Sequence, residues 1–401
     1  MGWKESNRVS ERLELCRLYE GGSLSMAELC RRFGVSRKTG YKWVKRWSEG
    51  GEAALSDRSR RPKNSPNQAS DQVESEAVSL RRQHPRWGGR KIAKLLEGQD
   101  VSDVPSASTI TRILHRHGLI AGEESEKRKA WTRFEMDSPN DLWQIDFKGN
   151  VALASGGRCH PLTILDDCSR YSLGIVACAN ESGSTVKTHF RQVFQKYGIP
   201  RAIYVDNGNP WGTSQNRTRH TRFSAWLMRQ DIEVIHGRPY HPQGRGKIER
   251  FHRTLKLEVL QDRQLQNLED AQSAFDPWRT CYNHQRPHEA LDMKVPASIY
   301  HASVRRFEEV TDPFEYSSGF QTRRPNKTGQ FPFESVQYRI SDAFTDHPIG
   351  LRPTTTDGIW DIYYCRFAVA QLNQRTGQIT YDRRLAEARY ARFSQSADGG
   401  S

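Results

Sequence analysis

Up to residue 118, apolar residues recur at helical spacing. Residues 7–21 place Val9, Leu13, Cys16, Leu18 and Tyr19 on one side, and Gly21-Gly22 ends that helix. Ser25, followed three residues later by Glu28, reads as a capping box that opens a helix over Met26 to Phe33. Gly34-Val35 makes the turn, and Ser36 caps a second helix over residues 37–47. Tyr41, Val44 and Trp47 are expected to face the core. Ser36, Arg37, Lys38, Lys42 and Lys45 then face outward. A helix, a tight turn and a basic helix together predict a helix-turn-helix, with the second helix suited to a major groove. The same spacing predicts helices over 71–83, 89–96 and 106–117, the last capped by Ser106 and stopped by Gly118. Arg112, His115 and Arg116 give this second helical unit a basic face of its own.

From residue 137 the pattern changes to strands mixed with helices. Strands are expected over 142–147, 158–166 and 171–179, then a helix over 185–197. A strand over 202–205, a helix over 223–229 and a strand over 232–235 follow. Helices over 247–260 and 268–283 close this region. After Ser303 the pattern changes once more. Residues 336–340, 349–352, 359–364 and 367–372 are short alternating runs at close spacing, which predict a small β-barrel.

Charge narrows the partner. The 61 Lys and Arg residues outnumber 47 Asp and Glu, for a formal charge of +14. Basic residues interleaved with Trp, Tyr and Phe point to nucleic acid. Asp57-Arg-Ser-Arg-Arg-Pro-Lys-Asn-Ser-Pro66 is a basic stretch of the kind that follows phosphates or enters a minor groove, with Ser59, Arg60 and Arg61 at its candidate contact point. No apolar run approaches the length of a membrane span. The start of the chain lacks the apolar core of a signal peptide. The seven cysteines are scattered, without a Cys-x-x-Cys pair, as expected of reduced thiols in the cytoplasm.

Three carboxylates carry the candidate chemistry. Asp146 and Asp206 end apolar strands, and Glu249 sits in the first turn of a helix after a Gly- and Pro-rich loop. Taken alone, Glu249 reads as a helix-start carboxylate that suits the positive end of the dipole. With Asp146 and Asp206 it completes a set of hard oxygen donors for divalent metal. Two such ions can stabilise the entering and leaving oxygens of an in-line phosphoryl displacement.

Residues 140–300 resemble the integrase catalytic core shared by bacterial insertion-sequence transposases and retroviral integrases. The strings that carry the resemblance are Leu142-Trp-Gln-Ile-Asp-Phe-Lys-Gly149, Leu165-Asp-Asp-Cys-Ser-Arg-Tyr171 and Val205-Asp-Asn-Gly208. Further along come His236-Gly-Arg-Pro-Tyr-His-Pro-Gln243, Gly246-Lys-Ile-Glu-Arg-Phe-His-Arg-Thr-Leu-Lys256 and Tyr282-Asn-His-Gln-Arg-Pro-His288. The helix-turn-helix pair in front is similar to the insertion-sequence family four-eighty-one. The resemblance implies an RNase H-like α/β core whose acidic triad falls on Asp146, Asp206 and Glu249. It implies Mg²⁺ as cofactor, with Mn²⁺ able to substitute. It also implies cleavage at terminal inverted repeats, attack of the freed 3′-hydroxyl on target DNA, and a homodimer or higher oligomer on the DNA. Lys256 follows Glu249 by two turns on one helical face, where the resemblance implies a basic contact to the terminal DNA, and Arg253 is a further candidate DNA contact. The polar, Arg-rich stretch 211–220 lengthens the interval between Asp206 and Glu249 and reads as a loop beside the site.

The expected organisation is multidomain. An all-α helix-turn-helix domain (1–55) is followed by a basic linker (56–70), a second helical DNA-binding domain (71–120) and a linker (121–136). An RNase H-like core (137–302), a linker (303–330), a small β-barrel (331–393) and a disordered tail (394–401) complete the chain. The expected function is a DNA transposase. A catalytically silent, sequence-specific DNA-binding protein with the same modules is the alternative, and the intact triad disfavours it.

Overall fold

The computed structural model describes residues 8–57, 69–99, 101, 103–120, 136–212, 220–237 and 245–380. The chain divides into two compact units, residues 1–68 and 69–401.

The first unit holds α1 (Arg8–Glu20), α2 (Met26–Arg32) and α3 (Arg37–Gly50). Both caps predicted in this unit form, whereas Ser106, expected to cap a later helix, makes no side-chain cap hydrogen bond. Ser25 and Glu28 make a reciprocal capping box, and the Ser36 hydroxyl accepts from Thr39 N at 3.2 Å. The core is built from Leu15, Cys16, Trp43 and Leu55, with Val44 and Trp47 packed on its edge. Tyr41, expected inside, is 53% exposed and meets Tyr19 edge-on at the surface. The face of α3 is rotated because Gly40, not Tyr41, lies against α2. A Cβ there would sit 2.6 Å from Met26 Sδ and 2.8 Å from Cys30 Sγ. That close approach makes Trp43, three residues on, the core residue.

In the second unit, α4 (Asp71–Gln83), α5 (Gly89–Glu97) and α6 (Ala107–Arg116) enclose Val73, Ala77, Trp87, Ile92, Leu96, Ile110 and Leu114. Arg81 is buried and donates to Trp87 O and Leu119 O, so its charge fastens the ends of this bundle.

The central sheet contains β1 (Leu142–Phe147), β2 (Val151–Ala152), β3 (Arg158–Asp166), β4 (Ser172–Cys178), β5 (Ala202–Val205) and β6 (Glu233–His236). Its helices are α7 (Gly183–Tyr197), α8 (Arg222–Arg229), α9 (Gly246–Leu255) and α10 (Leu268–His284). β4 and β2 pair with β3, which pairs antiparallel with β1; β1, β5 and β6 are parallel. This is the RNase H-like order expected from the sequence. The central strands are buried on both faces, with Trp143, Ile145, Ile164, Ile203 and Val205 packed against Phe190, Phe194 and Trp226. α9 does not run on as one α-helix to 260 as expected. Residues Lys256–Leu260 form a π turn, closed by Gln261 N donating to Lys256 O at 2.8 Å.

The C-terminal region corrects the expected barrel. β7 (Gln321–Arg323), β10 (Ile349–Pro353), β11 (Ile359–Tyr364), β12 (Phe367–Asn373) and β13 (Gln378–Thr380) form an open five-stranded antiparallel sheet. β8 (Gln330–Phe333) and β9 (Val336–Arg339) form a separate hairpin. Closure requires the edge strands to pair. Here β7 and β13 are three residues each and stand at opposite edges. The apolar face is covered instead by the hairpin, with Phe333 packed edge-on against Trp360 at 5.0 Å. The structure also begins β7 inside the stretch expected to be a linker. The earlier part of that stretch is strapped to the core by Arg305, which donates to Pro200 O and to Asp231. Glu309 accepts from Arg191 and Trp226.

All seven cysteines are unbridged. Among the described residues, no helix is long and apolar enough to cross a membrane.

Candidate active site and nucleic-acid surfaces

β1 and β5 pair in parallel with Leu142 opposite Ala202 and Gln144 opposite Tyr204. Carrying that register to the strand ends brings Asp146 level with Asp206. The two side chains are joined by a cation from the chain itself. Arg245 donates to Asp146 Oδ2, and its other terminal nitrogen lies 3.8 Å from Asp206 Oδ2. Burial pushes the Asp146 carboxyl up to about 6, and the Asp206 charge adds to the rise while Arg245 opposes it. Asp206 also accepts from Gly208 N at 2.9 Å through its other oxygen.

A histidine supports Asp146 from below. Thr163 Oγ1 donates to Asp146 O at 2.8 Å, so its single proton is committed there. Its oxygen therefore accepts from His252 Nε2 at 2.7 Å, which fixes the Nε2–H tautomer. His252 Nδ1 then presents its lone pair 3.9 Å from Asp146 Oδ2. Burial and the nearby Lys148 and Arg245 charges hold His252 down at about 3, so it is a neutral prop.

Glu249 is exposed on the first turn of α9. Arg253 and Lys256 are exposed at the four- and three-residue steps that follow it, which gives one face. Among the described residues, no three His, Cys, Asp or Glu side chains converge as a ready metal cage. The structure thus brings Asp146 and Asp206 together through Arg245, and Glu249 stands exposed on the first turn of α9. The chemistry of the pair fits a divalent ion: two carboxylates already share one positive group, and hard carboxylate oxygens are the donors Mg²⁺ prefers.

Sequence reasoning missed Arg245, Lys247, Gln144, Thr163 and His252. Only the last could have been suspected, as an apolar-face histidine three residues after Glu249. Asp166 ends β3 and Asp167 opens the turn after it, and both are fully buried. Asp166 accepts from Asn140 N, Ser169 N and Ser169 Oγ, and burial raises its pKa. His236 Nδ1 pairs with Asp206 O at 3.1 Å, and Asn207 donates to Gly237 O at 2.9 Å, so both brace the Asp206 loop. Arg286 pairs with Glu258 at 3.1 Å and stays inside the fold. His241, Gln243 and most of the Arg-rich stretch after Trp211 lie outside the described residues.

The basic surfaces divide by what each side chain already holds. Arg37, Lys38, Lys42 and Lys45 are exposed along one side of α3, with Lys42 over the Trp43 ring at 5.0 Å and Lys45 3.8 Å from Glu49. Ser36 is engaged as the α3 cap. On α6, Arg112 is exposed and donates to Thr109 Oγ1 at 3.1 Å. Arg116 is paired with Glu74, which also meets His117 at 2.6 Å. Ser59, Arg60 and Arg61 lie outside the described residues.

A mixed sheet with level strand-end carboxylates, carried with helix-turn-helix modules, defines a polynucleotidyl transferase of the integrase-core class. Family models match in the same places. A helix-turn-helix domain covers residues 11–63, and a homeodomain-like domain covers 39–114. The integrase core domain covers 137–242 and 230–296. The IS481 family transposase C-terminal domain covers 320–380. The 39.2 kDa protein of insertion element IS476 from Xanthomonas euvesicatoria is 30% identical over 246 residues, 60% of this chain and 67% of that protein. The 31.7 kDa protein of insertion element IS407 from Burkholderia multivorans is 25% identical over 238 residues, 58% of this chain and 82% of that protein. A solved HTLV-2 integrase catalytic core domain in complex with magnesium aligns at a TM-score of 0.32 and 18% identity, over 42% of this chain and 100% of that one. The chain belongs to the insertion-element DNA transposases with an integrase core.

Proposed function

We propose that this transposase binds the terminal inverted repeats of its element and carries out metal-dependent cleavage and 3′-hydroxyl strand transfer with Asp146, Asp206 and Glu249. The observation that carries the reading is the pair of level carboxylates on adjacent parallel strands sharing one cation. Mg²⁺, or Mn²⁺ in its place, would be held by the three carboxylates and would supply an activated nucleophile and charge stabilisation at phosphorus. Asp146 and Asp206 provide the fixed oxygens, because each is anchored by its strand. Glu249 is supplied from the first turn of α9, and Arg253 and Lys256 on the same face meet phosphates flanking the scissile bond. Arg245 leaves the carboxylate pair as the site loads and is then free to meet the DNA backbone. His252 keeps its proton on Nε2 and holds the Asp146 strand end in place through Thr163.

End recognition is assigned to α3 through Arg37, Lys38, Lys42 and Lys45, with Ser36 fixing the helix start. Arg60 and Arg61, with Ser59 beside them, follow the adjoining phosphates. Arg112 and Arg116 on α6 provide a second contact, and Arg116 must exchange Glu74 for phosphate to serve. The division proposed is a reader over 1–55, a second reader over 71–120, a catalytic core over 137–302 and a C-terminal sheet from near residue 320. Two protomers or more pair the two ends. The test is a single-turnover nicking assay on duplex DNA carrying the element's ends, with Mg²⁺. Asp146→Asn and Asp206→Asn should each lose nicking by about a thousandfold or more while end binding persists. Nicking that survives both substitutions would contradict the assignment.

A further inference from the structure

α9 begins without a side-chain cap of its own, since Arg245 at its N-cap makes none. A helix start leaves its first N–H groups without intrahelical partners. Here one of them is met from another strand. Ile248 N donates to Gln144 Oε1 at 3.3 Å. Gln144 is 1% exposed and stands two residues before Asp146 on β1, so the two side chains leave the same face of the sheet. The other end of the Gln144 amide is fixed too: Nε2 donates to Asp167 Oδ1 at 2.7 Å. Asp167 is fully buried just past the end of β3. Its Oδ2 accepts from Met136 N at 3.0 Å and from Lys247 Nζ. Lys247 is the residue before Ile248, in the same first turn. Two consecutive residues of that turn are therefore tied to one buried carboxamide–carboxylate pair, and the next residue is Glu249.

Stability alone is a weak reason for such a pair. Burying a carboxylate and an ammonium costs solvation that their attraction barely repays, so buried pairs serve better as specifiers of geometry. We propose that Gln144 and Asp167 are positioning residues. They hold the first turn of α9 in register with β1, and so set the place of Glu249 relative to Asp146. The inference rests on the reading of Glu249 as the third carboxylate. The ties matter because Asp146 and Asp206 stand at the ends of strands paired in the sheet, while Glu249 stands on a helix outside it. With the turn free to shift by an ångström, a rate loss of about a hundredfold is the usual consequence for groups outside the chemistry.

The experiment compares full-length wild type, Gln144→Met, Glu249→Gln and the double variant. Strand joining, DNA-end affinity and Mn²⁺ affinity by electron paramagnetic resonance are measured for each, with DNA ends bound for the Mn²⁺ titration. Gln144→Met should lower the joining rate about a hundredfold with end affinity and melting temperature near wild type. It should weaken Mn²⁺ binding when Glu249 is present and add nothing in the Glu249→Gln background, because it acts through Glu249. Should Gln144→Met melt early, Lys247→Arg and Lys247→Met repeat the test. The arginine, which keeps a cation for Asp167, should retain joining, and the methionine should lose it. Joining at the wild-type rate in both Gln144→Met and Lys247→Met would overturn the positioning role, as would equal losses of Mn²⁺ affinity with and without Glu249. A wild type that never joins DNA would overturn the triad reading itself, a result distinct from either.

Discussion

Arg245 donates to Asp146 Oδ2 from a position 3.8 Å from Asp206, so one guanidinium serves both carboxylates of the sheet. A monovalent cation there competes with any divalent one. Arg245→Gln should therefore bind Mn²⁺ more tightly than wild type, by about tenfold, which corresponds to ~1.4 kcal/mol. The titration belongs at pH 8 and without DNA, where Asp146 is ionised. Weaker binding by the variant would show that Arg245 assists the metal.

The raised pKa of Asp146 sets a second expectation. Burial, and then the Asp206 charge, favour the neutral acid, so the carboxylate is protonated below about 6. A metal ligand must be ionised. Mn²⁺ affinity should fall as pH drops through about 6, and not first near the ordinary carboxylate range. Affinity held constant from pH 8 down to 5 would contradict the burial of this group.

Phosphate contacts by α3 are tested by salt. Lys38→Ala with Lys42→Ala should weaken binding to end-containing duplex and lower the salt slope by about 2, or roughly one for each phosphate lost. Unchanged slope and affinity would move end recognition to the α4–α6 module.

Glu309 reports on the strap between core and C-terminal sheet. Hydrogen bonds from Arg191, then from Trp226, and the Arg191 charge hold its carboxyl down at about 2. A depressed carboxylate contributes stability that is fully present above its unfolded pKa and is lost as pH falls through the folded value. Glu309→Gln should cost about 1 kcal/mol in urea unfolding at pH 7, a figure kept small because the group is partly exposed. The difference should shrink below pH 4.5 as the unfolded carboxylate becomes protonated. A difference that grows on acidification would contradict the pairing.

The strands over 142–147, 158–166 and 202–205 were legible to the residue because each is a dense apolar run ended by Asp or a turn. Asp146 and Asp206 were legible for the same reason: they end such runs. The π turn at Lys256 was not, since an α-helical apolar period continues through it. Tyr41 misled because helical spacing gives a face, and the close approach at Gly40 decides which residue fills it. The barrel expectation failed because alternation predicts strands and not whether the edges meet. Least legible was the network around the carboxylates. Arg245 with Asp146, Lys247 with Asp167 and Ile248 with Gln144 are separated by 99, 80 and 104 positions, and no local pattern registers such partners.

The most direct measurement is strand joining in Mg²⁺ on DNA carrying the element's ends, by wild type and by Glu249→Gln. Joined product from wild type alone, with equal end binding by both proteins, is the expected result. Joining by Glu249→Gln at the wild-type rate would contradict the central claim that this glutamate completes the site with Asp146 and Asp206.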